Sequence, residues 1–460
     1  MLAVLKSPEP ANMALMKMES RGRDCRSIGI TRSEFNLSHE KRAANANVRI
    51  SMHLRCSIPD CGTTLDLHDR ALACPKCGEL LEVVVNPGSY EPRDLKRTWL
   101  ERRTSYDARD ASGVWRFREF LPDIYGPDGV VTLNEGNVPL LRGQKTVAWV
   151  GLKDLRFKHL GFNPTGSFKD LGMTAGMTEA KFMGAKAVAC ASTGNTAASL
   201  AAYAARAGVA GRVYLPAGQA SANKLAQALD YGAEMVQIEG SFDDALNELL
   251  DSKDPDLYFL NSINPFRIEG QKTAMFEMLE QLEWRIPDYL VVPGGNLGNS
   301  SAFGKAFIEM KQFGLIDKTP RIVVVQASGA NPLFRMWDSG AAELTAVAKP
   351  ETLATAIRIG NPRSWKKSLQ GVHFTDGFVM DVTDDEIAEA KDQIGRDGIG
   401  CEPASATTLA GLKKLSLRGE LDKDAMVVAV LTGHVLKDTD YIIKMHNKKS
   451  ARQADPVHVH

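Results

Sequence analysis

From about residue 150 onward, short β-branched runs alternate with helical stretches that stop at glycine, and this rhythm restricts the possible folds more than any other feature of the chain. Val188–Cys190 leads into the alanine-rich ASLAAYAARAG, which stops at Gly208. RVYLP precedes ASANKLAQALDYG, and EMVQIEG precedes SFDDALNELL, where Ser241 and Asp244 fit a capping box. YLVVPGGNLGN precedes SSAFGKAFIEMKQFG, and RIVVVQA, GFVMDV and MVVAVL continue the pattern. Such alternation builds right-handed crossovers and parallel sheets. The units are too many for one sheet, so the expected class is α/β, with two doubly wound parallel-sheet domains and a cleft between them. The longest apolar runs have strand length, far short of a membrane span. Lys plus Arg and Asp plus Glu both number 56, so no overall field recruits nucleic acid or an acidic partner.

Ahead of this body the chain changes character. Residues 86–145 are rich in Arg and Trp and weakly periodic, and read as helices and loops packed on something larger. Before them, Cys56, Cys61, Cys74 and Cys77 stand in CSIPDCG…ACPKCGELLEV, two knuckles that each end in Cys-Gly. Four thiolates on two knuckles suit a tetrahedral zinc with a closed coordination sphere, hence a structural metal; a small β-ribbon of the same shape without metal is the alternative. The chain has seven cysteines, an odd number that does not suggest a secreted disulfide scaffold, and a reducing cytosol fits it better. Residues 1–51 carry more basic than acidic residues, few large apolar ones and no apolar signal-peptide core. They are expected to form a disordered extension, with organellar targeting or a start placed upstream of Met52 as the other readings.

In parallel sheets, ligands gather where strands end and helices begin, and four such places have odd compositions. FNPTGSFKD turns, offers Ser167 as a helix cap and sets Lys169 in the first helical turn. A helix start disfavours an ammonium there and favours the amine or imine that Schiff-base chemistry uses, although a snorkelling lysine would read the same way. ASTGNT places Ser192, Thr193, Asn195 and Thr196 at a helix N-terminus, as an anion site or as an N-cap with polar decoration. PGGNLGN places Gly295, Asn296, Leu297, Gly298 and Asn299 where backbone amides can cradle a phosphate; it is neither a P-loop nor a dinucleotide fingerprint, and an ordinary glycine turn is the bland alternative. LTGHVLKD offers the Thr432 hydroxyl, either as a neutral partner for a pyridine nitrogen or as a turn cap. A Schiff-base lysine, a phosphate cradle, a carboxylate loop and a pyridine partner together point to pyridoxal 5′-phosphate.

The same stretches resemble the threonine synthases, members of the tryptophan-synthase-β-like (fold type II) pyridoxal-phosphate enzymes. The likeness is carried by NEGNVPLL, NPTGSFKDLGMT, ASTGNT, NSINPFRIEGQKT, VVPGGNLGN, IRIGNP, EPASATTLAGL and LTGHVLKD, from Asn134 to Asp438. The resemblance implies that Lys169 forms the Schiff base and then moves protons, and that Phe168 walls the pocket. Asn195 would meet the cofactor's 3′-oxygen, Gly295 to Asn299 its phosphate and Thr432 its ring nitrogen. Ser192, Thr193 and Thr196 would face the substrate carboxylate or phosphate, and Asn261, Ser262 and Arg267 the substrate phosphate. An arginine can grip a phosphate dianion with two hydrogen bonds, which dehydratases and cysteine synthases do not need; pairing of Arg267 with Glu269 or another carboxylate is the alternative.

The implied reaction converts O-phospho-L-homoserine and water into L-threonine and phosphate. The rivals are a cysteate-synthase-like replacement on phosphoserine, another amino-acid lyase on this scaffold, and a zinc-ribbon nucleic-acid or sensor protein. The expected division has the extension at 1–51, a zinc-ribbon-like segment at 52–85, a larger cofactor-binding domain from 86–180 and 286–445, a smaller and mobile domain at 181–285, and a polar tail at 446–460. A cytoplasmic homodimer with no nucleic-acid or membrane partner completes the expectation.

Overall fold

The computed structural model describes residues 52–454 apart from 87, 127, 218–221 and 241. The expected extension at 1–51 and Ser241 of the expected capping box lie outside the described residues. The strands are β1 (Met52–Cys56), β2 (Thr64–Leu65), β3 (Leu81–Val85), β4 (Leu140–Arg142), β5 (Asp154–His159), β6 (Ala187–Ala191), β7 (Ala210–Pro216), β8 (Glu234–Ile238), β9 (Leu257–Phe259), β10 (Tyr289–Pro293), β11 (Arg321–Ala327), β12 (Phe378–Val382) and β13 (Met426–Leu431). They form an antiparallel ribbon β2-β1-β3, a six-stranded sheet β12-β11-β10-β13-β5-β4 and a four-stranded sheet β8-β7-β6-β9. Both larger sheets are parallel, except that the edge strand β4 runs antiparallel to β5.

Sequence explains the layering. Strands β10 and β13 are almost wholly buried, as unbroken apolar runs are when helices cover both faces of a sheet. One face of the six-stranded sheet packs with Trp99, Trp115, Phe117 and Phe276, so the Arg- and Trp-rich region does dock on a larger body. The other face packs on a helix at Pro403–Leu417 and on Ile387 and Ile394.

Five helices position the site: α1 (Lys169–Phe182), α2 (Asn195–Ala207), α3 (Pro265–Gln281), α4 (Gly298–Gln312) and α5 (Pro403–Leu417). Helix α1 buries Met173 and Met177 against the four-stranded sheet, while its Leu171 and Ala175 join the core of the six-stranded one. Helix α3 follows the smaller sheet in sequence, yet its Met275, Phe276 and Leu279 lie in the larger core. Its Phe266 completes the core of the ribbon, beside Leu54, Leu81 and Val83. A close crossing holds α4: a Cβ on Gly304 would stand 2.5 Å from the Gly371 Cα, so both positions exclude a side chain. In the expected tail, the last helix (Thr439–Ala454) runs past residue 446.

Candidate active site

Lys169 is the first residue of α1, reached from β5 through the turn that the sequence foreshadows. The Gly166 amide donates to the Asn163 carbonyl at 2.8 Å, and Gly166 adopts φ +84°, which a side chain would strain. The Ser167 Oγ accepts from the Lys169 amide at 3.4 Å, a long bond to the first helical N–H. Phe168 occupies the N-cap position and its own side chain caps nothing, while the Ser167 backbone pairs with Gly433 and the Phe168 amide donates to the Thr432 carbonyl at 2.9 Å. The turn is thereby stitched to the end of β13.

The Lys169 Nζ lies 4.3 Å from the centroid of the Phe168 ring. Burial pushes its amine down to about 7; the nearby Arg267 guanidinium pushes the same way and the Glu402 carboxylate opposes. The helix start adds to the penalty on the ammonium form. Asp170, next along, is fully buried, accepts from the hydroxyls of Thr165 and Ser199, each at 2.6 Å, and from the Thr165 amide at 2.7 Å. That carboxylate ties the lysine's helix to α2.

At the end of β6 the ASTGNT loop is half-buried, and the Gly194 amide donates to the Ser192 Oγ at 3.2 Å. Asn195 opens α2, and its Nδ2 donates to Glu402 Oε2 at 3.0 Å. Ser192, Thr193, Asn195 and Thr196 thus share one helix start.

The PGGNLGN loop leaves β10 and enters α4 through Leu297 at φ +66°. The Gly294 amide donates to the Val325 carbonyl at 2.7 Å. Among the described residues, no acceptor takes the amides of Gly295, Asn296, Leu297 or Gly298. A Cβ on Gly295 would sit 3.0–3.1 Å from Ile357, so the bare backbone leaves room that a side chain would fill. Asn299 turns inward, its Nδ2 donating to the Pro293 carbonyl at 3.0 Å. Free amides at the start of a long helix fit the phosphate of the cofactor.

Past β9, Asn261 Oδ1 accepts from the Ala191 amide at 2.9 Å, so this side chain braces the start of the ASTGNT loop. The Ser262 Oγ accepts from Asn296 Nδ2 at 2.6 Å, joining this segment to the phosphate cradle. Arg267 is 1% exposed. Its Nη1 donates to the Leu260 carbonyl at 3.0 Å, while Nε and Nη2 have no protein partner. Burial brings its guanidinium down to about 10. It does not pair with Glu269, whose oxygens meet Lys272 and Lys305, each at 2.5 Å.

Thr432 directly follows β13, with its Oγ1 3.0 Å from the Ser405 Oγ and donating to Glu402 Oε1 at 3.1 Å. Glu402 and Ser405 carry no role in the sequence reading. Both belong to EPASATT, and a glutamate just before a helix-opening proline reads as an ordinary start, so only the fold reveals where its carboxyl points.

The four ribbon cysteines also come together, with all four Sγ atoms within 4.8 Å of one another. Cys56 and Cys77 are 3.5 Å apart, and Cys61 and Cys74 3.7 Å. Four thiolates on a zinc at about 2.3 Å stand about 3.8 Å apart, so the donor set fits that ion. Gly62 and Gly78 turn the two knuckles at φ +67° and +75°.

Residues 131–433, well over half of the chain, match the family described as "Pyridoxal-phosphate dependent enzyme", and the chain belongs to that family. Its curated relatives narrow the class. The threonine synthase of Methanocaldococcus jannaschii is 45% identical over 386 residues, 84% of this chain and 93% of the relative. That of Synechocystis sp. is 45% identical over 362 residues, 77% and 91% of the two chains. Within the family the chain therefore stands among the threonine synthases. Solved structures share the fold at lower identity: maize serine racemase (TM-score 0.57, 20% identity, 78% of this chain and 98% of that one) and tomato (Solanum lycopersicum) threonine deaminase isoform 2 (0.59, 20%, 80% and 97%).

Proposed function

We propose that the chain converts O-phospho-L-homoserine and water into L-threonine and phosphate, using pyridoxal 5′-phosphate held on Lys169. Arg267 carries this reading: a buried guanidinium near Lys169, with two donors that no protein atom takes, calls for an anion that arrives with the substrate. The threonine synthase relatives supply the reaction to which that anion belongs.

Bound pyridoxal phosphate supplies an electron sink for charge that develops at Cα and Cβ of the amino acid. Lys169, with its amine near 7, is matched to taking and returning protons at those two carbons near neutral pH. The amides of Gly295, Asn296, Leu297, Gly298 and Asn299 hold the cofactor phosphate, Asn195 and Thr432 meet its ring, and Phe168 walls the pocket. Ser192, Thr193 and Thr196 receive the substrate carboxylate. Asn261, Ser262 and Arg267 grip the substrate phosphate, with Asn261 and Ser262 also bracing the neighbouring loops.

In the same reading the ribbon holds one structural zinc through Cys56, Cys61, Cys74 and Cys77, and the enzyme works as a cytoplasmic homodimer with no nucleic-acid partner. The six described cysteines are all free thiols, which suits a reducing compartment. Among the described residues no helix is long and apolar enough to cross a membrane.

Incubation with phosphohomoserine tests the proposal. Threonine and phosphate should appear in equal amounts, while phosphoserine with sulfite should release no phosphate. Release from the second pair alone would replace this reading with its cysteate-synthase-like rival.

A further inference from the structure

Glu402 precedes α5 in the N-cap position, yet its side chain caps nothing in its own helix. It reaches instead to two residues that arrive from different sheets. Oε2 accepts from Asn195 Nδ2 at 3.0 Å, at the start of α2, and Oε1 accepts from the Thr432 hydroxyl at 3.1 Å, at the end of β13. The carboxyl is 4% exposed. Its backbone is fixed as well, since the Glu402 amide donates to the Gly433 carbonyl at 3.0 Å. A Cβ on Gly433 would stand 2.4 Å from Glu402 Cδ, so a bare backbone there is what lets the carboxyl fit.

Burying a carboxylate is costly unless hydrogen bonds and opposite charge offset it. Lys169 on α1 and Lys437 beyond β13 supply the charge, and Asn195 and Thr432 supply the hydrogen bonds. The Cys401 thiol, its chain neighbour, also interacts with it; farther out, Arg267 stands near Lys169, Asp170 near Lys437, and His159 and His434 against Gly400 and Cys401. The ring nitrogen and the 3-oxygen of pyridoxal phosphate flank one edge of the pyridine, so two protein groups that take those atoms must arrive side by side. The two oxygens of one carboxylate hold Asn195 and Thr432 in that relation: Asn195 keeps a second N–H to donate, while the Thr432 hydroxyl, its one proton given to Glu402, offers the ring an acceptor.

We propose that Glu402 is a positioning residue that holds Asn195 and Thr432 as one unit toward the cofactor ring. This rests on the preceding assignment of Asn195 and Thr432 to the ring; the Glu402 carboxylate also opposes the burial that lowers the Lys169 amine, which gives a second readout. In Glu402→Gln the charge is gone and one of the two donors loses its partner. In Glu402→Asp the charge remains, but the shorter side chain no longer reaches both donors.

Two measurements on the full-length protein test this: the dissociation constant of pyridoxal phosphate, and the pH dependence of Lys169 acylation in cofactor-free protein, read by peptide mass spectrometry. Glu402→Gln should weaken the cofactor about tenfold and move the Lys169 midpoint down by roughly one pH unit. Glu402→Asp should keep a midpoint near that of the wild type and still bind the cofactor weakly. If Glu402→Gln binds within twofold of wild type and Lys169 titrates unchanged, the proposal is overturned. Equal weakening in both variants with no movement of the midpoint in either would reduce Glu402 to a packing residue and overturn it too. Should Glu402→Gln fail to fold, the aspartate variant decides: full-strength cofactor binding or a displaced midpoint counts against the proposal. A wild-type protein that binds no pyridoxal phosphate would overturn the preceding assignment, a result distinct from weakened binding in the variants alone.

Discussion

Asn296 of the PGGNLGN loop donates through Nδ2 to the Ser262 hydroxyl at 2.6 Å, so the loop expected to hold the cofactor phosphate and the segment expected to hold the substrate phosphate are joined by one hydrogen bond. Removing one side of such a bond costs about 0.5–1.5 kcal/mol. Ser262→Ala should therefore weaken both pyridoxal phosphate and phosphohomoserine binding several-fold. Equilibrium titration of each ligand checks this; a loss confined to one ligand would show that the two loops act separately.

Arg267 is a buried cation with no carboxylate partner in the described structure, which makes it costly to the fold and useful to an anion. Arg267→Met should abolish turnover while leaving thermal stability unchanged or raised by about 1 kcal/mol. In protein loaded with pyridoxal phosphate, inorganic phosphate should raise the melting temperature of the wild type and not that of the variant. Arg267→Lys should not restore function, because an ammonium cannot present two parallel donors. Melting curves with and without phosphate read this out.

The Lys169 amine sits near 7 in the folded chain, against an ordinary value of 10.5. Below pH 7 both folded and unfolded chains carry the proton, so the folded state bears the full penalty of the buried charge. Between about 7 and 10.5 the unfolded chain binds more protons than the folded one, so stability from this group rises with pH. In cofactor-free protein, the stability of wild type relative to Lys169→Met should rise across that window. Denaturant melts at several pH values test the slope, and a flat difference would mean that the lysine keeps its ordinary basicity.

The ribbon sulfurs have the spacing of a tetrahedral thiolate site, and the ribbon core includes Phe266, the neighbour of Arg267. Metal analysis should find one zinc per chain in wild type and none in Cys74→Ser. The variant should also bind phosphohomoserine more weakly, since loosening the ribbon frees the start of α3. A metal-free wild type with unaltered stability would assign the ribbon to packing alone.

Much of this site could be read before any coordinates, because four strand ends carry compositions that ordinary turns do not need. Lys169 in a tight turn, the free amides of PGGNLGN and the ASTGNT helix start are local features, and local features survive in sequence. What could not be read is set by tertiary contact. Glu402 looks like a routine helix start, and the Asn195 it holds lies 207 positions away. Ser167 has the chemistry of a cap and its Oγ meets the Lys169 amide, but the pairing of its backbone with Gly433 depends on a strand end far along the chain. Glu269 is near Arg267 in sequence, but side chains two apart on a helix point to different sides, and Lys272 and Lys305 take its carboxylate. Helix α3 follows the smaller sheet in sequence, yet it packs into the core of the larger one, which depends on its buried Met275 and Phe276 finding that face.

The most direct measurement combines spectroscopy and trapping on one sample. Purified protein given pyridoxal phosphate should turn yellow, borohydride should bleach it, and peptide mass spectrometry should find the reduced cofactor on Lys169; the unreduced sample should convert phosphohomoserine to threonine and phosphate. A colourless protein, or a label on another lysine, would contradict the account at its centre.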